Sequence, residues 1–200
     1  MEQQFAKPVC IVRTAPNTPA HVLAGVTAYC RNGYATPEDV AAVECLLASF
    51  GTTVELEESQ LDAASAIGGS SPAYVYMFIE ALADAGVAEG LKRPQAQQIA
   101  AQAVLGSAKL VLESGKHPGQ LKDEVCSPFG STIRGVVVLE KGAFRGTVID
   151  ALRTTIARAR SPQTARKATA ALQTGGRPLP SLTGAVPILK FVLALLFQEC

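Results

Sequence analysis

The sequence changes character once, near Glu58, and that change limits the folds open to it. Before it, Pro8-Val9-Cys10-Ile11-Val12-Arg13 is short and β-branched, as a buried strand is, and Ala15-Pro16-Asn17-Thr18-Pro19 ends it with two prolines. Thr36-Pro37-Glu38-Asp39 opens a helix, with Thr36 as N-cap, Pro37 at the first helical position and carboxylates in the first turn. Val40, Val43, Leu46 and Leu47 give that helix one apolar face, Gly51 ends it, and Thr52-Thr53-Val54-Glu55-Leu56 alternates as a strand does. Strand, helix, strand is the pattern of an α/β layer, here only the end of one. After Glu58 the one strand-like run is Val136-Val137-Val138, and it lies inside a helical pattern.

The remainder therefore reads as all-helical. Leu61 to Ile67 forms a short helix. Ser71 then caps a second, with Pro72 at its first position and Val75, Phe78, Ile79 and Leu82 along one face up to Gly86. The third, Pro94 to Glu113, is apolar around more than half its circumference and must be buried on several sides. A partner subunit would cover it; so would other helices of the same chain, or the α/β layer. A short helix follows Pro118, and a last pair runs over Ser131 to Glu140 and Phe144 to Arg158, parted by Gly142.

With 48% hydrophobic residues spread along its length, the chain is globular. After Asp150 it carries seven basic residues against Glu199 alone, a basic tail on a mildly acidic body. Such a tail can touch nucleic acid or anionic lipid, or can simply be a solvated helix face and a flexible end, and the second reading is preferred. The apolar run Gly184 to Phe197 is interrupted by Pro187 and Lys190 and falls short of the roughly 20 residues a bilayer span needs, so no membrane role is expected. The five cysteines are scattered and never spaced C-x-x-C, and the two histidines stand in no ligand-like cluster. Neither a disulfide framework nor a metal site is expected, and a reducing cytoplasm fits best. Met1-Glu2-Gln3-Gln4 lacks the features of a signal peptide.

Three turns can carry chemistry. In Ser127-Pro128-Phe129-Gly130-Ser131-Thr132 a turn feeds straight into an amphipathic helix. The backbone N–H groups of Gly130 to Thr132 are expected to be unpaired and able to hold a small carboxylate, with the Thr132 hydroxyl beside it. An ordinary helix cap is the alternative. Gly68-Gly69-Ser70-Ser71-Pro72-Ala73 has similar logic and can approach a phosphate or a nicotinamide amide, although it is not the G-x-G-x-x-G of dinucleotide-binding turns. Asn17-Thr18 lies at the carboxyl end of the first strand, where open α/β sheets bind ligands. Asp62, Glu80 and Asp84 are spaced as exposed helix residues and are assigned no chemistry.

Read together, the turns resemble the pyrroline-5-carboxylate reductase family. Val12-Arg13-Thr14-Ala15-Pro16-Asn17-Thr18-Pro19 is similar to that family's V-R-x-M-P-N-T-P, and Gly68-Gly69-Ser70-Ser71-Pro72-Ala73-Tyr74 to its S-G-S-G-P-A-Y. Glu80 to Val87 and His117 to Asp123 follow in order, then Ser127 to Ile133 for S-P-G-G-x-T-I and Leu139 to Arg145 for L-E-x-G-x-F-R. The resemblance implies a mostly α chain: a helical substrate-binding and dimerisation domain over 59–160, preceded over 1–58 by a remnant of an α/β Rossmann-like layer. It fades beyond Ala151, and 161–200, rich in Pro, Thr, Gln, Gly and Arg, reads from its composition as a divergent, flexible tail.

The activity implied is reduction of 1-pyrroline-5-carboxylate to L-proline with NADPH or NADH, in the cytoplasm, by a homodimer or an oligomer of dimers. Carried over by position, Val125, Ser127, Gly130, Ser131 and Thr132 bind substrate, with Thr132 near the ring nitrogen as the catalytic group. Asn17, Thr18, Gly69 and Ser70 lie near the nicotinamide. The family's G-x-G-x-x-G unit is missing before Pro8, so the isolated chain is expected to be inactive. The alternative is a non-catalytic dimerising fragment. Phe129 stands where the family has glycine, and would strain or crowd the turn if that position needs a positive φ.

Overall fold

The computed structural model describes residues 7–161, so the expectations for the tail beyond Ser161, and for Gly184 to Phe197, lie outside the described residues. The fold is mostly α with one small sheet. The strands are β1 (Val12–Ala15), β2 (Gly25–Arg31) and β3 (Gly51–Glu55), in the order β1-β2-β3. β2 runs parallel to β3, joined through α1 (Pro37–Ala48), and antiparallel to β1.

Two expectations need correction here. β1 starts at Val12, four residues later than the apolar run suggests, because the preceding residues are held by Asn32, through its side chain and its N–H to the Ile11 carbonyl, instead of by a strand. Asn32 Oδ1 accepts from the Ile11 N–H at 3.0 Å, and its Nδ2 donates to the Val9 carbonyl at 2.9 Å. The central strand, β2, is absent from the sequence reading altogether. Thr27, Ala28, Tyr29 and Cys30 are buried in succession, so the strand shows no alternation between buried and exposed residues. On one face Ala28 and Cys30 pack with Leu61, Ala15, Leu56 and Ala64. On the other the fully buried Tyr29 sends its hydroxyl to Glu44 Oε1 of α1, 2.6 Å away.

α1 forms as its sequence dictates. Thr36 accepts from the Asp39 N–H, the Asp39 carboxylate accepts from the Thr36 N–H at 3.0 Å, and Pro37 follows the cap. Beyond β3 come α2 (Leu61–Ser65), a π-helical turn over Ala66–Ser70, and α3 (Ser71–Ala88). Ser71 therefore does not cap a new helix: its backbone is helical and its hydroxyl donates to the Ile67 carbonyl, so the chain passes from α2 to α3 without a break. Then follow α4 (Arg93–Ser114), α5 (Pro118–Val125), α6 (Ser131–Lys141) and α7 (Phe144–Ala159).

The chain divides into two compact units, one holding the described residues up to Ser71 and from Leu152 onward, the other Pro72–Ala151. Within the second, α3 and α4 pack through Ala83, Ala96 and Ala100, flanked by Ile79 and Val87. Phe78 and Phe144 lie with ring centroids 6.1 Å apart. The rest of α4 stays uncovered: Ile99, Leu105, Leu110 and Leu112 are exposed, Leu112 by 83%. Burial of α4 on several sides by helices of the same chain is thus not what the described residues provide.

Candidate functional site

α5, the turn after it and α6 place the expected substrate residues in one short stretch. His117 begins α5 by accepting from the Gly119 N–H on Nδ1 at 3.0 Å, and the helix ends at the exposed Val125. Ser127-Pro128-Phe129-Gly130 then forms a tight turn closed by the Gly130 N–H donating to the Ser127 carbonyl at 3.0 Å. Proline in the second position and a positive φ in the third are the marks of a type II turn, whose third position favours glycine. Phe129 takes it with φ of +60° and a ring 93% exposed. Gly130 sits closely against Ser127: a Cβ there would come within 2.5 Å of Ser127 Oγ, forcing that hydroxyl to turn away, and 3.0 Å from its carbonyl oxygen.

The closing bond changes which donors are free. Gly130's amide is satisfied, and as N-cap glycine it brings no side-chain acceptor to α6. Among the described residues the amides of Ser131, Thr132 and Ile133 find no partner, and no acidic residue stands in the first turn. The donor set expected at Gly130 to Thr132 is therefore displaced by one residue, to Ser131 to Ile133. These three N–H groups, at the positive end of the helix dipole and with the exposed Ser131 and Thr132 hydroxyls beside them, suit a small carboxylate.

The second group lies in the other compact unit. Asn17 and Thr18 follow β1, and Gly69 and Ser70 lie in the π turn. Asn17 joins them, since its Nδ2 donates to the Gly68 carbonyl at 3.2 Å. Thr18 and Gly69 are exposed, and a Cβ on Gly69 would meet nothing within 4 Å, so a flat ring can approach the backbone there.

The remaining polar clusters hold the fold. Cys30 Sγ donates to Glu58 Oε2 at 2.9 Å, and Glu58 pairs with Arg13. Burial first, and then Glu58, push the Cys30 thiol up to about 12, which leaves it protonated and unreactive. Asp62 lies 3.7 Å from Arg13 and 3.8 Å from Arg160, and Asp84 pairs with Arg93. Among the described residues no group of three or more His, Cys, Asp or Glu can hold a metal, and no helix is long and apolar enough to cross a membrane.

Residues 58–162, more than half of the chain, match the family model for pyrroline-5-carboxylate reductase dimerisation. The chain belongs to this family. It is similar to the pyrroline-5-carboxylate reductase of Escherichia coli (strain K12), with 54% identity over 142 residues, which are 71% of this chain and 53% of the relative. Among solved structures, the NADP-bound pyrroline carboxylate reductase of Plasmodium falciparum matches with a TM-score of 0.71 and 39% identity, covering 76% of this chain and 60% of that one. The pyrroline-5-carboxylate reductase of Coxiella burnetii matches with a TM-score of 0.76 and 34% identity, covering 80% and 59%. The chain thus spans about half the length of the curated relatives it matches.

Proposed function

We propose that the chain is the substrate-binding and dimerisation part, over 59–160, of a pyrroline-5-carboxylate reductase, with 1–58 the end of its Rossmann domain. It acts on 1-pyrroline-5-carboxylate as a homodimer or an oligomer of dimers in the cytoplasm. Family membership carries this reading, and the uncapped start of α6 supports it. Ser131, Thr132 and Ile133 anchor the substrate carboxylate through their amides, with Ser127 and Gly130 shaping the turn and Val125 beside the ring. The Thr132 hydroxyl lies near the ring nitrogen and stabilises its changing charge as the C=N bond becomes a C–N bond. Thr18, Gly69 and Ser70, with Asn17 behind them, form the surface for the nicotinamide, which supplies the hydride when NADPH or NADH is bound.

No two glycines in the chain stand two apart, so the G-x-G-x-x-G pyrophosphate site lies outside these residues and the chain alone turns nothing over. This supports a second reading, a non-catalytic dimerising fragment that keeps the carboxylate site. Titration of the 15N-labelled chain with L-proline tests the site: the Ser131, Thr132 and Ile133 amide resonances should move together and saturate. Resonances that stay in place there while others shift would refute it. NADPH oxidation by the isolated chain with pyrroline-5-carboxylate should not exceed the buffer rate, and measurable turnover would overturn the claim of inactivity.

A further inference from the structure

Asn17 sits in the proposed nicotinamide-side group, yet its carboxamide is already engaged on both sides. Oδ1 accepts from the Val26 N–H, 2.9 Å away near the start of β2, while Nδ2 donates to the Gly68 carbonyl in the π turn at 3.2 Å. Its own carbonyl accepts from the Ala20 N–H at 3.1 Å, fixing its backbone at the entry to the short 3-10 helix Thr18–Val22. One side chain thus ties together the segment after β1, the head of β2 and the turn between α2 and α3.

The π turn needs such a tie. It departs from ordinary helical geometry over Ala66–Ser70; Ala66 is buried at its start, but Gly68 and Gly69 bring no side chains to hold the rest. A Cβ on Gly68 would lie 3.5 Å from Val26 Cγ1, so this part of the turn runs beside β2.

We infer that Asn17 is a positioning residue: its carboxamide holds the Ala66–Ser70 turn against β2 and thereby places Gly69 and Ser70, instead of touching the cofactor itself. The importance of that placement rests on the reading of Gly69 and Ser70 as nicotinamide contacts; the clasp does not. Only a carboxamide of this length supplies both the donor and the acceptor. Aspartate keeps an acceptor for Val26 but sets a carboxylate against the Gly68 carbonyl, and alanine removes both bonds.

The test uses the 200-residue chain, its Asn17→Asp and Asn17→Ala variants, and two readouts. The first is amide hydrogen exchange at Val26 and at Gly69, Ser70 and Ser71, with Tyr29 and Cys30 in β2 as controls for the fold. The second is titration with reduced nicotinamide mononucleotide, which carries the reacting ring without the adenylate half, followed at the Gly69 and Ser70 resonances. Asn17→Asp should leave Val26 protected, speed exchange over 69–71 by about ten-fold, and weaken the mononucleotide response by a similar factor. Asn17→Ala should release Val26 as well, which keeps the test open should the aspartate variant fold poorly. Unchanged exchange over 69–71 in both variants would overturn the clasp. A lost mononucleotide response with that exchange unchanged would mean direct contact and overturn it too. Silent Gly69 and Ser70 resonances in the unsubstituted chain would instead sink the cofactor reading, with the exchange data still deciding the clasp.

Discussion

Phe129 occupies a left-handed backbone conformation that costs an L-residue about 1–2 kcal/mol, and its ring gains little contact within the chain in return. Glycine removes that strain while adding about 0.5–1 kcal/mol of chain entropy to be lost on folding. Phe129→Gly should therefore raise the urea midpoint, by up to about 1 kcal/mol of stability, and tighten proline at the α6 amides. A lowered midpoint would show that the ring is buried in the assembled protein. Glu58 offers a test by pH. The Cys30 thiol donating to it, with the Arg13 guanidinium beside it, holds its carboxyl below the ordinary value of 4.5, while partial burial opposes the shift. A carboxyl depressed in the folded state adds stability that is fully present above its unfolded value and lost as pH falls through the folded one. The unsubstituted chain should lose stability on acidification below about pH 4.5, and Glu58→Gln, weaker at neutral pH, should lose less over that window. Parallel denaturation curves for the two across the acid range would refute the coupling.

At the scale of elements, what could be read in the sequence was whatever local chemistry decides. α1 announces itself because Thr36, Pro37 and Asp39 supply cap, pre-set φ and reciprocal acceptor within four residues. α3 to α7 follow from helical spacing and from breaks at glycine and proline, and α3, α4, α6 and α7 fall within a residue or two of the expected ends. β2 escapes because both its faces are covered, so the two-residue period by which strands are recognised is erased. The π turn escapes for another reason. Gly68-Gly69-Ser70-Ser71-Pro72 has the composition of a loop, and one of the bonds made to it comes from Asn17, 51 residues earlier in the chain. At the start of α6 the unsatisfied donors were expected, but the bond from Gly130 to Ser127 was not, so the donor set lies one residue further on. Proline followed by a residue held at positive φ is the signal that would have placed it.

For the molecule as a whole, α4 presents Ile99, Leu105, Leu110 and Leu112 to its surroundings, more apolar surface than a lone protomer leaves bare without cause. In the proposed pairing these side chains are covered by a second copy. Gel filtration should give the mass of a dimer, and Leu112→Arg should shift it toward the monomer; a clean monomer for the unsubstituted chain would sink the pairing. The α3–α4 hairpin has a further consequence, because its buried centre consists of Ala83, Ala96 and Ala100. Methyl groups allow two backbones to lie close but remove little oily surface from water, so one copy gains little by folding this region alone. Association and folding of this region then become a single equilibrium governed by how many copies are present. The melting temperature should climb with protein concentration, and dilution alone should suffice to loosen the helices.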